Sequence, residues 1–225
     1  MCCRYCMELS PELRPYIEAA NRSPLKEKLE AGLGRPLRVQ GEVRPTDLVP
    51  VLASSRSAAP AVFPMLWGFS VPGRRPSLFN ARVETAPEKP ALRDSWARHR
   101  CVVPAFGYYE WEHLTHPVTG KPVTGDRYRI RPMDGSTLWM AGLYRMENRE
   151  GLSVPVFTIL TREPGASLRF LHDRMPLILP QELIHAWIHP SSDPRSIALR
   201  AVTDMAVEKQ AGKDEAVPSP ESWSD

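Results

Sequence analysis

Proline occurs 24 times in 225 residues, about twice the usual frequency, and it is spread along the chain. Each one fixes φ and removes a backbone donor, so long helices and unbroken central strands are both disfavoured. The chain is therefore expected to fold as short strands, edges and turns wrapped around one core. With 42% hydrophobic and 24% charged residues it has the make-up of an ordinary globular domain rather than a disordered chain. One β-rich domain of this length buries a core without disulfides or metals. The longest apolar stretch, Ala58 to Phe69, is interrupted by Pro60 and Pro64 and falls well short of the roughly 20 residues a membrane helix needs.

Ser10-Pro11-Glu12 and Ser23-Pro24-Leu25 have the form of helix starts, with the second helix expected to stop at Gly32. From Val49 onward strand signals dominate: Ala61 to Phe69, Phe79 to Val83, Cys101 to Trp111, Tyr128 to Ile130, Thr137 to Leu143 and Val154 to Leu160, separated by Pro, Gly and Asn clusters. Helical periodicity returns around Ala166 to Leu171 and Pro180 to Ile188. The expected fold is α+β, a single domain with a central barrel-like antiparallel or mixed sheet of short strands and flanking helices. Residues 1–207 form that domain, and 208–225 read as an acidic disordered tail.

The net charge of +3 is unevenly spread. Residues 74–100 carry seven bases and three acids, and the chain from Thr203 onward carries six acids and two bases. A basic middle suits an anionic partner on one face, although a solvated charged surface produces the same run.

Cys2, Cys3 and Cys6 crowd the amino terminus, and only Cys101 lies elsewhere. No apolar signal sequence precedes them, so the expected setting is a reducing cytoplasm in which the thiols are free, metal-bound or catalytic. Loss of Met1 would leave Cys2 with a thiol and an α-amine on adjacent carbons. Near neutral pH about a quarter of such an amine is unprotonated, against about 0.1% of a lysine. A terminal aminothiol traps aldehydes: the amine forms a Schiff base and the thiolate closes a five-membered thiazolidine. A start codon merely followed by cysteine gives the same sequence.

Three other segments bear on this. Strand alternation over residues 79–85 puts Asn80, Arg82 and Glu84 on one face, where Arg82 suits a phosphate and Asn80 both donates and accepts; a half-exposed strand with an ion pair fits equally. In Phe106-Gly107-Tyr108-Tyr109-Glu110-Trp111, aromatic rings surround Glu110, and desolvation there would lift its pKa toward neutrality, as general acid-base work requires. An edge glutamate pointing into water would look the same. In Leu171-His172-Asp173-Arg174-Met175-Pro176 a charged triplet interrupts apolar flanks. His172 is a candidate proton carrier, with Asp173 and Arg174 pairing to hold the turn; a structural histidine is the alternative. Cys3-x-x-Cys6 with Cys101, and His185 with His189, are the available metal-ligand spacings, and neither amounts to a zinc signature. His113 and His116 fall in a segment, 113–126, expected to be surface loop.

The start Met1-Cys2-Cys3-Arg4-Tyr5, the strand Asn80-Ala81-Arg82-Val83-Glu84-Thr85, the block Arg100 to Trp111, the run His172 to Leu179 and the pair Trp67-Gly68 together resemble the SOS response-associated peptidase (SRAP) family. The resemblance implies a DNA-damage protein; separately, a monomer is expected, with no cofactor, metal or membrane partner. It would recognise abasic sites in single-stranded DNA and bond to them through Cys2 after autoproteolytic loss of Met1. By this likeness Cys2 is the nucleophile, Asn80 positions the amine or sugar, Glu110 handles protons and His172 assists ring opening. Arg4 and Arg82 hold phosphates, and Trp67 presses on a base. The chain departs from the family in having Cys3 where Gly is common and Glu42-Val43-Arg44-Pro45 where many members read Asn-x-x-Pro. An acid at position 42 repels phosphate unless Arg44 offsets it. Two readings of other classes remain beside this one: an N-terminal-cysteine amidohydrolase, and a zinc-stabilised or lipid-anchored binding module.

Overall fold

The structure, a computed structural model, describes residues 3–117 and 119–210, with residues 74–76 and 122 described by backbone alone. The expected tail therefore lies outside the described residues from position 211 onward. Its first two positions, Glu208 and Lys209, are strand.

Two large sheets and one two-stranded sheet, residues 69–71 with 74–78, organise the described chain. The strands are β1 (Arg4–Met7), β2 (Gly41–Val43), β3 (Leu48–Ser54), β4 (Pro60–Trp67), β5 (Phe69–Val71), β6 (Arg74–Leu78), β7 (Asn80–Arg82), β8 (Arg100–Ala105), β9 (Gly107–Thr115), β10 (Pro122–Pro132), β11 (Leu138–Arg149), β12 (Leu152–Arg162), β13 (Met175–Pro176) and β14 (Met205–Lys209). Strands β11, β8, β3, β4 and β12 pair in that order and β12 pairs back onto β11, closing a five-stranded ring. Closure removes exposed strand edges. All pairings in the ring are antiparallel except β4 with β12, so the barrel is mixed, as expected. β7 adds to β12 in parallel, with Asn80 opposite Ile159.

The second sheet runs β14-β10-β9-β1-β2. Its inner face, with Tyr5, Met7, Val43, Tyr108, Ile130 and Met205 all buried, packs toward the barrel. Trp67 fills the junction. Its ring is fully buried, lies 5.3 Å from Tyr5 and stacks on Phe157 at 6.1 Å, and its indole N–H donates to the Phe79 carbonyl at 2.9 Å. Gly68 follows with φ +126°, and a Cβ there would lie 2.8 Å from the Phe79 ring, so the chain turns off this tryptophan only with glycine.

Helices α1 (Arg14–Asn21), α2 (Lys26–Leu33), α3 (Arg93–Arg98), α4 (Ile184–Ile188) and α5 (Pro194–Ala198) are short and peripheral. Ser10 does accept a capping bond, from the Leu13 N–H at 3.1 Å, but one turn precedes the regular helix. The second helix runs through Gly32 and ends at the left-handed Gly34 (φ +62°), two residues beyond the expected stop, because only Gly34 adopts the capping conformation. Arg100 is buried and holds α3 and α4 to the barrel by donating to the carbonyls of Trp96, Ala97, Trp187 and His189.

Candidate active site

Three pairings bring the candidate residues together. Arg4 pairs with Tyr109 and Tyr5 with Tyr108 across β1 and β9, so Cys3 emerges alongside Glu110. Its thiol is open to solvent on one side and crowded on the other; the crowding, and the negative charge of Glu110, push it above the usual thiol range. The second pairing is β7 on β12, which carries Asn80. The third is made by Arg174, whose guanidinium donates to the Thr161 carbonyl and to Glu84, both at 2.7 Å. Because Thr161 is opposite Arg82, Arg174 ties the His172 turn to the end of β7.

Glu110 is 5% exposed. Burial raises its carboxyl to about 7, and the charge of Asp173 adds to the rise. Charged and neutral forms are then both populated near neutral pH, the condition under which one group both takes and gives protons.

His172 is half-buried, with its ring edge-on to His113 at 5.3 Å. Burial pushes it below the usual histidine range against the pull of Asp173, and His113 adds to the push. Its Nδ1 accepts the Arg174 backbone N–H at 3.0 Å and lies 2.6 Å from an Asp173 oxygen. A neutral ring accepts from the backbone, whereas a protonated ring donates to the carboxylate, so proton uptake exchanges its partner.

Asn80 is buried and Arg82 exposed, and both line a cavity of about 360 Å³ with Val71, Leu78, Lys89 and Leu92. Asn80, Arg82 and Glu84 do not share one strand face as expected. β7 ends at Arg82, a turn closes from the Thr85 N–H to the Arg82 carbonyl, and Glu84 swings to Arg174. Asp173 meets His172 rather than Arg174, which corrects the expected pairing in that turn.

Arg4 and Trp67 differ more from expectation. The Arg4 guanidinium binds Glu42 at 2.5 Å, and Glu42 also accepts from Arg127 at 2.5 Å and Arg44 at 3.1 Å. Partial burial alone would raise the Glu42 carboxyl, but these bonds outweigh it and hold it at about 2. Three arginines, not Arg44 alone, offset this acid, and Arg4 is engaged by it. Trp67 is wholly core and presents no face to a base.

His113 was missed as a site neighbour. The segment around it is no loop: β9 and β10 continue as a hairpin with Leu114 opposite Val123. The alternation Tyr109, Trp111, His113 and the Thr124, Arg127 positions carried that signal. Among the described residues no group of three or more His, Cys, Asp or Glu is placed to hold a metal. Cys6 and Cys101 are buried, and Cys6 donates weakly to the Gly107 carbonyl. No helix of the described chain is long and apolar enough to cross a membrane.

Residues 1–213 match the family described as SOS response associated peptidase (SRAP). The chain belongs to the SRAP family. Relatives of this SRAP chain include the abasic site processing protein YoqW of Bacillus subtilis, 38% identical over 119 residues, covering 52% of this chain and 50% of that one. The abasic site processing protein YedK of Escherichia coli is 30% identical over 143 residues, covering 61% and 60%. The chain spans about half the length of the curated relatives it matches. A Bacteroides thetaiotaomicron protein of solved structure shares the SRAP fold with a TM-score of 0.71 at 24% identity, covering 93% of this chain and 92% of that one. One from Bordetella bronchiseptica gives 0.66 at 24%, covering 93% and 100%.

Proposed function

We propose that this chain processes abasic sites in DNA by trapping them, in single strands, as a covalent thiazolidine on Cys2, with residues 1–207 as the working domain. The observation that carries the reading is the register of β1 on β9, which brings Cys3, the residue after Cys2 in the chain, beside a buried carboxyl raised to about 7. The relatives, abasic site processing proteins, supply the substrate.

Hydrolysis of the Met1–Cys2 peptide bond consumes one water and frees the α-amine. An abasic deoxyribose in its ring-opened form presents an aldehyde. The amine nitrogen adds to the carbonyl carbon, the resulting hydroxyl takes a proton from Glu110 and leaves as water, and a Schiff base remains. The Cys2 thiolate then adds to the imine carbon and the nitrogen regains a proton, closing the ring with one water lost overall. His172, whose burial favours the neutral ring, accepts the C1′ hydroxyl proton as the C1′–O4′ bond breaks and returns a proton to the released O4′, leaving the aldehyde and a hydroxyl. Asn80 orients the amine or sugar, and Arg82 meets a phosphate. Arg4 serves the DNA only by sharing or leaving Glu42, and Trp67 serves it only by shaping the core under the site.

The test is a denaturing gel with single-stranded DNA carrying one abasic site. The wild-type chain is expected to give a slow, denaturation-resistant band and an intact mass equal to protein plus DNA less one water. Cys2→Ala and a chain extended at its amino terminus give none. Equal bands from wild type and Cys2→Ala would overturn the proposal.

A further inference from the structure

We infer that Phe170 and Arg169 form a nucleotide subsite beside the reactive centre, Phe170 stacking on a base that flanks the lesion and Arg169 holding its phosphate. The inference rests on the proposed DNA substrate and adds a contact surface to it.

The turn leading to His172 fixes both side chains outward. The N–H groups of Leu171 and His172 donate to the Leu168 carbonyl at 3.0 and 3.1 Å, one helical turn in which Leu168 and Leu171 are buried at 3% and 2% exposure. Positions two and three of the turn then have no route to the core. Phe170 is left 62% exposed, although large aromatic side chains ordinarily bury most of their surface. Arg169 is exposed beside it and forms no ion pair among the described residues. It thereby differs from Arg4, Arg127, Arg129 and Arg131, each bound to a carboxylate.

The location is specific. Phe170 stands edge-on to Tyr128 at 5.8 Å, and Tyr128 is the residue directly opposite Glu110 in the β9–β10 ladder. The Tyr128 hydroxyl is fixed by donating to Glu112 at 2.9 Å, which spends that carboxylate inside the protein. On the same side of the hairpin, Leu114 and Val123 face each other, 48% and 38% exposed. Tyr128, Leu114 and Val123 thus lie on the Glu110 side of the hairpin, Phe170 stands against Tyr128, and Arg169, exposed and without an ion pair among the described residues, is next to Phe170 in the chain. Aromatic faces and loose guanidinium groups along a groove are what a single strand recognises, because every base has a π-face and every nucleotide a phosphate. An apolar protein partner would gain nothing from the neighbouring unpaired charge.

The test uses the full chain and a fluorescein-labelled undamaged oligothymidine of about ten nucleotides, with binding read by anisotropy. Phe170→Ala and Phe170→Leu are expected to weaken binding by about 5-fold or more, Phe170→Trp to retain it. Arg169→Gln is expected to flatten the slope of log affinity against log salt by roughly 0.7. Equal affinity of wild type and Phe170→Leu overturns the subsite, as does loss of binding confined to variants whose thermal midpoint has fallen. A wild-type dimer that Phe170→Ala converts to monomer in sedimentation would assign the patch to self-association and also overturn it. The covalent gel with abasic DNA separates the two levels. A wild type that crosslinks while Phe170 proves indifferent refutes only the subsite, and a wild type that never crosslinks refutes the function itself.

Discussion

The two faces of the sheet β14-β10-β9-β1-β2 each carry a glutamate, and the two behave oppositely. Glu110, on the inner face, is buried, and burial raises it to about 7. Glu42, on the outer face, is met by Arg4, Arg44 and Arg127 and falls to about 2. Both feel desolvation; at Glu42 three guanidinium groups outweigh it, whereas at Glu110 the charge of the amino terminus opposes it without overcoming it. A carboxylate surrounded by guanidinium groups is held charged as a structural fastener, whereas one in which burial outweighs a single amino-terminal charge is able to exchange a proton near neutral pH. The comparison also sorts the arginines. Those on the outer face are committed to Glu42 and Glu208, which leaves Arg82 and Arg169 the better placed to meet phosphate.

The largest effect that would break this contrast is chemical. Glu110→Gln keeps the shape and removes the proton carrier, so the rate of covalent capture is expected to drop about 100- to 10,000-fold, measured by single-turnover gel assay. A rate within a few-fold of wild type would remove Glu110 from the mechanism.

The same variant should gain stability. Glu110 binds its proton at about 7 when folded and near 4.5 when unfolded, so the folded state holds the extra proton between those values and stability falls as pH rises through that window. At pH 8 the full cost of about 3 kcal/mol is present, and Glu110→Gln should relieve up to that amount. Thermal unfolding at pH 8 and pH 5 checks it: the gain should shrink at the lower pH.

Glu42 has the opposite sign. Its folded value lies below its unfolded one, so its contribution is complete above about 4.5 and is lost as pH falls toward 2. Glu42→Gln is expected to destabilise by about 1 to 2 kcal/mol at pH 7, the shift being discounted for partial exposure. The gap from wild type should close in acid denaturation below pH 4. The smallest expected effect sharpens the assignment of the arginines: Glu42→Gln frees Arg4, Arg44 and Arg127, so affinity for undamaged single strands should rise a few-fold with a steeper salt dependence, while the capture rate at saturating DNA stays unchanged.

Much of the architecture was legible in the sequence. The proline frequency announced short strands, and the apolar runs at 61–69, 101–111 and 154–160 all became strands of the barrel or of the sheet beside it. Strands β1, β2, β3, β6, β13 and β14 were not among those expected: five of them have two to five residues, too few alternations to stand out, and β3, buried along nearly its whole length, shows no alternation at all. The desolvation of Glu110 was foreseen from its aromatic neighbours, while the exposure of Arg82 and the burial of Asn80 two residues away were not separable by a period-two rule. Trp67 read as a surface wedge because a Trp-Gly step looks the same whether its ring faces in or out.

The sequence by itself determined which chemical groups exist and which of them share a strand: the leading cysteines, the aromatic bed of Glu110, the charged turn at His172. Only the tertiary structure decided which carboxylate meets a cation. Glu42 and Arg127 lie 85 positions apart, and Glu84 and Arg174 lie 90 apart, far beyond any local pattern. Charge and burial act over a few ångströms of space rather than along the chain, so the arrival of Arg4 and Arg127 at Glu42, and the burial of Glu110 with no guanidinium named among its causes, came from strand pairing, while Arg44 was within local reach.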